Sequence, residues 1–184
     1  SDLIFRKKVL LMQSDFLEEL HSFFEKQLER TNYWLSFAEA KNAALIALNV
    51  AMIAFLAELK TESSVFRAIL LVLLAVSCII SMVSFWPNTN SRIRKKETNV
   101  PHDNLVFWGD IAALKGEKQY IDLVVERYFP GMAFDEEHDK LSYDLVSEII
   151  TNSKIAKRKY LLFKIALFLD ILSFFLCILF FIFT

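Results

Sequence analysis

Ala68-Ile-Leu-Leu-Val-Leu-Leu-Ala-Val-Ser-Cys-Ile-Ile-Ser-Met-Val-Ser-Phe-Trp86 carries no charged residue and lies between Arg67 and Pro87. A helix needs about 20 predominantly apolar residues to cross the hydrocarbon core of a bilayer. This block has that length, and it shows no polar face that could turn to water, which argues against a buried helical hairpin of a soluble domain. Its Phe85-Trp86 end suits the membrane–water interface. Two further blocks read the same way. Asn42 to Ala57 lies between Lys41 and Glu58; it is slightly short, so its charged flanks must snorkel or the bilayer must thin. Ile165 to Phe183 is interrupted only by Asp170.

Across the whole chain, hydrophobic residues make up 55% of the 184 and include 18 Phe. The three glycines and three prolines all fall between Pro87 and Gly131. The stretches on either side are therefore free of helix breakers and are predicted to be long helices. The expected fold is an all-α membrane protein: an amphipathic cytoplasmic helix (1–41), a first span (42–57), an external loop (58–67), a second span (68–86), a cytoplasmic linker and small helical insertion (87–134), a cytoplasmic helix (135–164) and a third span (165–184).

The basic residues set the orientation. Arg30 and Lys41 precede the first span, Arg92, Arg94, Lys95 and Lys96 follow the second, and Lys154, Lys157, Arg158, Lys159 and Lys164 precede the third. The short loop carries only Lys60 and Arg67. The N-terminus and the middle segment are expected in the cytoplasm and the C-terminus outside. No cleavable signal peptide is expected, because charges run through the first forty residues. Cys78 and Cys177 sit within apolar blocks and read as packing residues, not a disulfide.

In the first segment, Phe5, Val9, Met12, Phe16, Leu20, Phe23, Leu28 and Leu35 approximate one stripe, so a helix from Phe5 to Phe37 is expected to run into the first span. Its predicted partner is a helix from about Asp135 to Phe183, with Leu141, Leu145, Ile149, Ile155 and Ala156 on its seam. Two such helices form a packed bundle and, by extension, a coiled-coil homo-oligomer. Between them, Leu105 to Trp108 reads as a short strand or buried turn ended by Gly109. A helix from about Lys115 to Arg127 should follow, with Tyr120, Ile121, Val124, Val125 and Tyr128 on its apolar side. Residues Asn88 to Asp103 read as an exposed linker.

Little here suits catalysis. His21, His102 and His138 are isolated, and no Cys/His pair has metal-ligand spacing. The run Asp135-Glu-Glu-His-Asp139 is better explained as acidic residues opposing a helix dipole. No phosphate-cradling glycine loop, nucleophile elbow or HExxH motif occurs. An enzyme is therefore not expected, no cofactor or metal is implied, and a net charge of −1 gives no general field for long nucleic acid.

The polar residues inside the apolar blocks carry more information. Asp170 lies about two turns into the third span, where ionisable groups tend to face a bundle interior, a partner subunit or water. It reads as pore-lining or oligomer-setting, or else as paired with Lys164 or Lys157. Asn49 is a second buried polar group that can bond across helices. Small residues align as Ala40, Ala43/Ala44, Ala47, Ala51 and Ala54 on the first span and as Ser77, Ser81 and Ser84 on the second. Tight packing within the hairpin is the first expectation for both stripes, and contact between subunits the second. The basic clusters serve topology and contact with anionic lipid. They could also form a floor for a nucleotide phosphate, with Arg92, Arg94, Lys95 and Lys96 meeting Lys157, Arg158 and Lys159, and Phe107, Trp108 and Tyr120 stacking a base.

Three stretches resemble the Pycsar effector family, small transmembrane effectors of bacterial anti-phage nucleotide signalling, with a broader likeness to SLATT-type proteins. They are Trp34-Leu-Ser-Phe-Ala-Glu-Ala-Lys41-Asn-Ala-Ala-Leu45, where Glu39 stands in place of the family's aspartate; Asn104-Leu-Val-Phe107-Trp-Gly109-Asp110-Ile-Ala112; and Asp144-Leu-Val-Ser-Glu148-Ile-Ile-Thr-Asn152-Ser-Lys-Ile155, which continues through Ala156 to Lys159-Tyr160. The middle stretch is the most specific. The resemblance implies a bacterial inner-membrane effector that assembles or opens in response to a nucleotide and depolarises the membrane. The ligand would be a cyclic mononucleotide first, or a cyclic dinucleotide or short oligonucleotide, made by a partner cyclase or nucleotidyltransferase. The alternative is a membrane adaptor whose cytoplasmic helices recruit a protein.

Overall fold

The computed structural model describes residues 2–58, 64–86, 104–132, 134 and 139–183. Helices α1 (Asp2–Glu58), α2 (Ser64–Val83), α3 (Trp108–Ile111), α4 (Glu117–Tyr128) and α5 (Lys140–Phe183) are the regular elements among them, and no strand occurs there. Within these helices, Met12–Glu58, Val65–Val83 and Lys140–Phe180 are long and apolar enough to cross a membrane. The chain divides into two compact units, each with its own interior. One, the head, comprises 1–34 and 90–157; the other, the membrane unit, comprises 35–89 and 158–184.

The head is built as a water-soluble fold is. Phe16, Leu20 and Phe24 of α1, Ile121, Val124 and Val125 of α4 and Val146, Ile149 and Ile150 of α5 bury their side chains together, with Leu105, Ile111, Leu114 and Tyr120. Burial of this kind removes apolar surface from water at roughly 25 cal/mol per Å² and is what holds the segment together. Aromatic rings meet at its edge, Phe16 against Phe129 and Phe23 against Tyr128, both with centroids 5.5 Å apart. Polar bonds fix the register of the long helices: Asn152 Nδ2 donates to Asn32 Oδ1 at 2.8 Å.

Several expectations shift here. The buried stripe of α1 in the head runs through Phe16, Leu20, Phe24, Gln27 and Thr31, whereas Met12 is exposed and Phe23 only half-buried. Steps of four, four, three and four residues keep these positions on one helix face, closer to a helical seam than the stripe read from hydrophobicity alone. The α5 seam in the head is Ser142, Val146, Ile149, Ile150, Ser153 and Ala156, with Leu141 on the exposed side. Leu105 to Trp108 is not a strand. The Asn104 side-chain oxygen accepts from the Val106 and Phe107 amides at 2.9 and 3.0 Å. That local turn competes with any extended pairing, and Gly109 lies inside α3 instead of ending the segment. The Phe107 ring lies against Gly109, where an added Cβ would fall 2.4 Å from it, so a side chain there requires the half-exposed ring to move. After α4 the chain turns at Gly131, whose φ of 86° suits glycine.

Helix α5 begins at Lys140, later than Asp135. Asp139 provides the start: its carboxylate accepts the Ser142 amide at 3.1 Å and the Ser142 hydroxyl at 2.6 Å, in the manner of an N-cap. His21 of α1 bonds the same carboxylate at 2.8 Å. Burial pushes the Asp139 carboxyl up, but the Ser142 and His21 hydrogen bonds outweigh it and hold its pKa below the usual carboxylate range. The remainder of the acidic run, Asp135 to His138, lies outside the described residues, as does the linker Asn88 to Asp103.

The membrane unit has the opposite character. Its exposed side chains in the spans are apolar: Leu48, Val50 and Phe55 on α1; Val65, Ile69, Val72, Val76 and Ile79 on α2; Phe168, Ile171, Phe174, Phe175 and Ile178 on α5. Its buried positions include Asn42, Asn49, Ser77, Ser81, Ser84, Lys159, Asp170 and Ser173. Water would not favour this arrangement, since apolar surface gains by leaving it and unpaired polar groups lose by burial. A bilayer does favour it, with polar groups turned inward on small-residue helix faces.

Candidate functional site: a polar file inside the membrane unit

The buried positions of α2 fall at 70, 74, 77, 78 and 81, and Ser84, just past its end, continues the same face. Those of α1 fall at 38, 42, 45, 49 and 56, and those of α5 at 159, 166, 170, 173 and 177. The α2 seam passes from leucine to serine along its length, while the α1 and α5 seams interleave polar and apolar residues. Leu56, Leu70, Leu74 and Cys177 form an apolar plug toward the end where α1 hands over to α2. Phe66 and Phe180 stack there with centroids 4.5 Å apart.

Beyond the plug lies a polar layer. Asn49 Nδ2 donates to Ser77 Oγ at 3.1 Å and to Asp170 Oδ2 at 3.3 Å. Ser77 Oγ in turn donates to the Ala166 carbonyl at 3.1 Å. Asn49 and Ser77 are fully buried and Asp170 is 7% exposed. The Asn49 side-chain oxygen, the second carboxylate oxygen of Asp170 and the Ser81 and Ser84 hydroxyls have no hydrogen-bond partner. The file therefore holds more polar capacity than the three helices use among themselves.

A basic clasp closes the other end. Lys159 is buried, and its Nζ donates to the Ser84 carbonyl at 2.9 Å, lies 2.9 Å from Glu39 and sits 5.4 Å from the Phe85 ring centroid. Asn42 Nδ2 donates to the Ala38 carbonyl at 2.8 Å and reaches the Lys159 carbonyl at 3.4 Å. Lys41 Nζ lies over the Phe37 ring at 4.5 Å, with the Phe163 and Tyr160 rings at 5.3 and 5.5 Å. Lys159 thus ties α1, the end of α2 and α5 together.

The structure brings together the two residues expected to line a pore or set an oligomer, Asn49 and Asp170, inside one protomer. Asp170 is partnered by Asn49 instead of Lys164 or Lys157. Ser77, Ser81 and Ser84 are buried, so tight internal packing holds for that stripe. It does not hold for Ala40, Ala43, Ala44, Ala47, Ala51 and Ala54, which face outward. The reason is rotational: once Asn42 and Asn49 turn inward, the alanines lie on the far side of α1.

Only part of the expected nucleotide floor falls among the described residues. Arg92, Arg94, Lys95 and Lys96 lie outside the described residues. Lys157 and Arg158 are exposed, whereas Lys159 is buried and held by Ser84 and Glu39. Phe107 is 45% exposed and packs at 5.0 Å against Trp108, which is half-buried. Tyr120 offers no face to a base: it is fully buried, its hydroxyl donates to the Leu105 carbonyl at 2.6 Å, and burial together with the Tyr128 phenol pushes its ionisation far above the usual range. Gln27 Nε2 donates to the Val106 carbonyl at 2.9 Å, holding this segment to α1. Lys159 was legible only as part of a basic run, although the spacing from Ala156 through Lys159, Ala166 and Asp170 to Ser173 marks it as a seam position.

Residues 23–184 match the family model described as the Pycsar effector protein domain. The Pycsar effector protein of a Rhizobium species is 32% identical over 136 residues, covering 70% of this chain and 75% of that protein. No solved structure matches.

Proposed function

This chain belongs to the Pycsar effector protein family, and from that premise we propose that it is a toxic inner-membrane effector, gated by a nucleotide and acting as a homo-oligomeric channel. Membership makes it an effector of anti-phage defence, and its apolar helices suit it to a membrane. The channel reading rests on one observation: a carboxylate-bearing polar file sealed within an apolar shell. Intramembrane ionisable residues are costly and tend to mark ion pathways. The outward alanine face of α1 supports an oligomer, because small residues let a second helix approach closely.

Gating requires the ligand to bind two conformations unequally. The nucleotide is a cyclic mononucleotide first, with a cyclic dinucleotide or short oligonucleotide next, supplied by a partner cyclase or nucleotidyltransferase. Arg92, Arg94, Lys95, Lys157 and Arg158 are the cationic candidates for its phosphate, and exposed Phe107 with Trp108 the candidates for its base. The N-terminus and the head face the cytoplasm, where such a ligand is made, and the C-terminus faces out.

A thermal-shift screen of these nucleotide classes on the detergent-purified chain identifies the ligand. The same ligand, in bacteria expressing the chain, should depolarise the membrane within the response time of a voltage-sensitive dye. Ligand binding with an unchanged membrane potential would instead support an adaptor that recruits a protein partner.

A further inference from the structure

A water-filled path across a bilayer needs polar groups on its wall, since hydrophobic constrictions of molecular width dewet and close. In the packing described, those groups are not on the outside of the protomer. The outward positions of the spans are alanine, valine, leucine, isoleucine, methionine and phenylalanine among the described residues. A lumen formed between protomers packed in this state would be lined by them. The polar groups instead line the inside, and the inside is shut by the leucine plug at one end and the Lys159 clasp at the other.

We infer that the conducting wall is this internal file, Asn49, Ser77, Ser81 and Asp170, and that the described packing is the closed state. Opening then means separating or turning the three spans until the file meets water. The inference rests on the channel reading above and adds which surface conducts. Several features converge on it. The file keeps unpartnered oxygens on Asn49, Asp170 and Ser81 although each residue is at least nine-tenths buried, so the closed packing leaves their capacity for water or a cation unused. The bonds that hold the layer shut are few, and interhelical hydrogen bonds in membranes contribute only about 1 kcal/mol each. Among the described residues of the unit, Asp170 is the buried carboxylate, and the Lys159 charge at the far end is met by Glu39. An opened file therefore favours monovalent cations over anions.

The test uses the full chain in spheroplasts, with Cys78→Ala and Cys177→Ala removing the native thiols. Single cysteines are placed inside the file (Ser77→Cys, Ser81→Cys) or on the outer face of α1 (Ala47→Cys, Ala51→Cys). A membrane-impermeant, positively charged methanethiosulfonate is applied before and after a panel of the four common 3′,5′-cyclic mononucleotides, with the membrane potential read alongside. The expected result is that Ser77→Cys and Ser81→Cys go from unreactive to reactive as the potential collapses, and that their modification then blocks the cation flux. Ala47→Cys and Ala51→Cys stay unreactive. Depolarisation with the inner positions still shielded, or with the outer ones reacting instead, overturns the inference and leaves the channel reading standing. No depolarisation in any arm, with all four positions shielded although thermal shift shows one of the four nucleotides bound to the chain, overturns both.

Discussion

A carboxylate within a membrane span costs about 3 kcal/mol on insertion scales, while an interhelical hydrogen bond there contributes about 1 kcal/mol. The bond that Asp170 accepts from Asn49 therefore does not offset the burial, and a stability role is a weak reason for the residue to be there. Asp170→Ala and Asn49→Ala are expected to abolish depolarisation while the chain still inserts and folds, read by dye response against membrane-fraction yield. Asp170→Asn, which can still accept from Asn49, should keep the fold and lose preference for cations. Asp139 in the head supplies a pH prediction. Its folded pKa is lowered, so its contribution is present above the unfolded value of about 3.9 and is lost as pH falls through the folded value. Asp139→Ala should destabilise the head by about 1 kcal/mol at neutral pH, as for loss of a helix N-cap. The gap from the parent in thermal melts should close as the acid limb is reached. Asp170 and Asn49 stood out in the sequence because polar letters in an apolar run are conspicuous. Their pairing with Ser77 did not, since it depends on how three helices are rotated. Lys159 was hidden for the opposite reason: within Lys157-Arg158-Lys159 a buried lysine has the same letter as an exposed one.

At the scale of elements, α1 and α5 were legible because no glycine or proline interrupts either helix, and the three apolar runs announced themselves by length. Which face turns inward was less legible. Hydrophobicity identifies the buried face in water, and it served for Phe16 and Leu20 in the head. In lipid the signal inverts, so the alanine stripe of α1 looked like an interior seam and is an outer face. The strand reading of Leu105 to Trp108 failed on local chemistry, because the Asn104 side chain closes a turn that β propensity does not register. Two substitutions separate the units. Leu20→Ala, in the head core, should cost about 3 kcal/mol, the range for a buried leucine truncated to alanine, measured by denaturant titration in detergent. Leu74→Asn, in the plug, should let water into the closed file and give depolarisation without nucleotide, measured as resting potential on induction.

At the scale of the whole molecule, one chain carries two solvents' worth of folding rules, a conventional apolar core in the head and a polar interior in the membrane unit. Residues distant in sequence serve a single layer in each: Glu39, Ser84 and Lys159 in one, Gln27 and Val106 in the other. Two of the stretches that carried the family resemblance meet at Lys159, which gives that resemblance a physical basis. The most direct measurement is the current through a planar bilayer containing the purified chain under a potassium chloride gradient. The membrane should stay electrically quiet until the nucleotide identified by thermal shift is added, then carry a current whose reversal potential is displaced toward that of potassium. A bilayer that stays silent with protein inserted and ligand bound would contradict the channel reading.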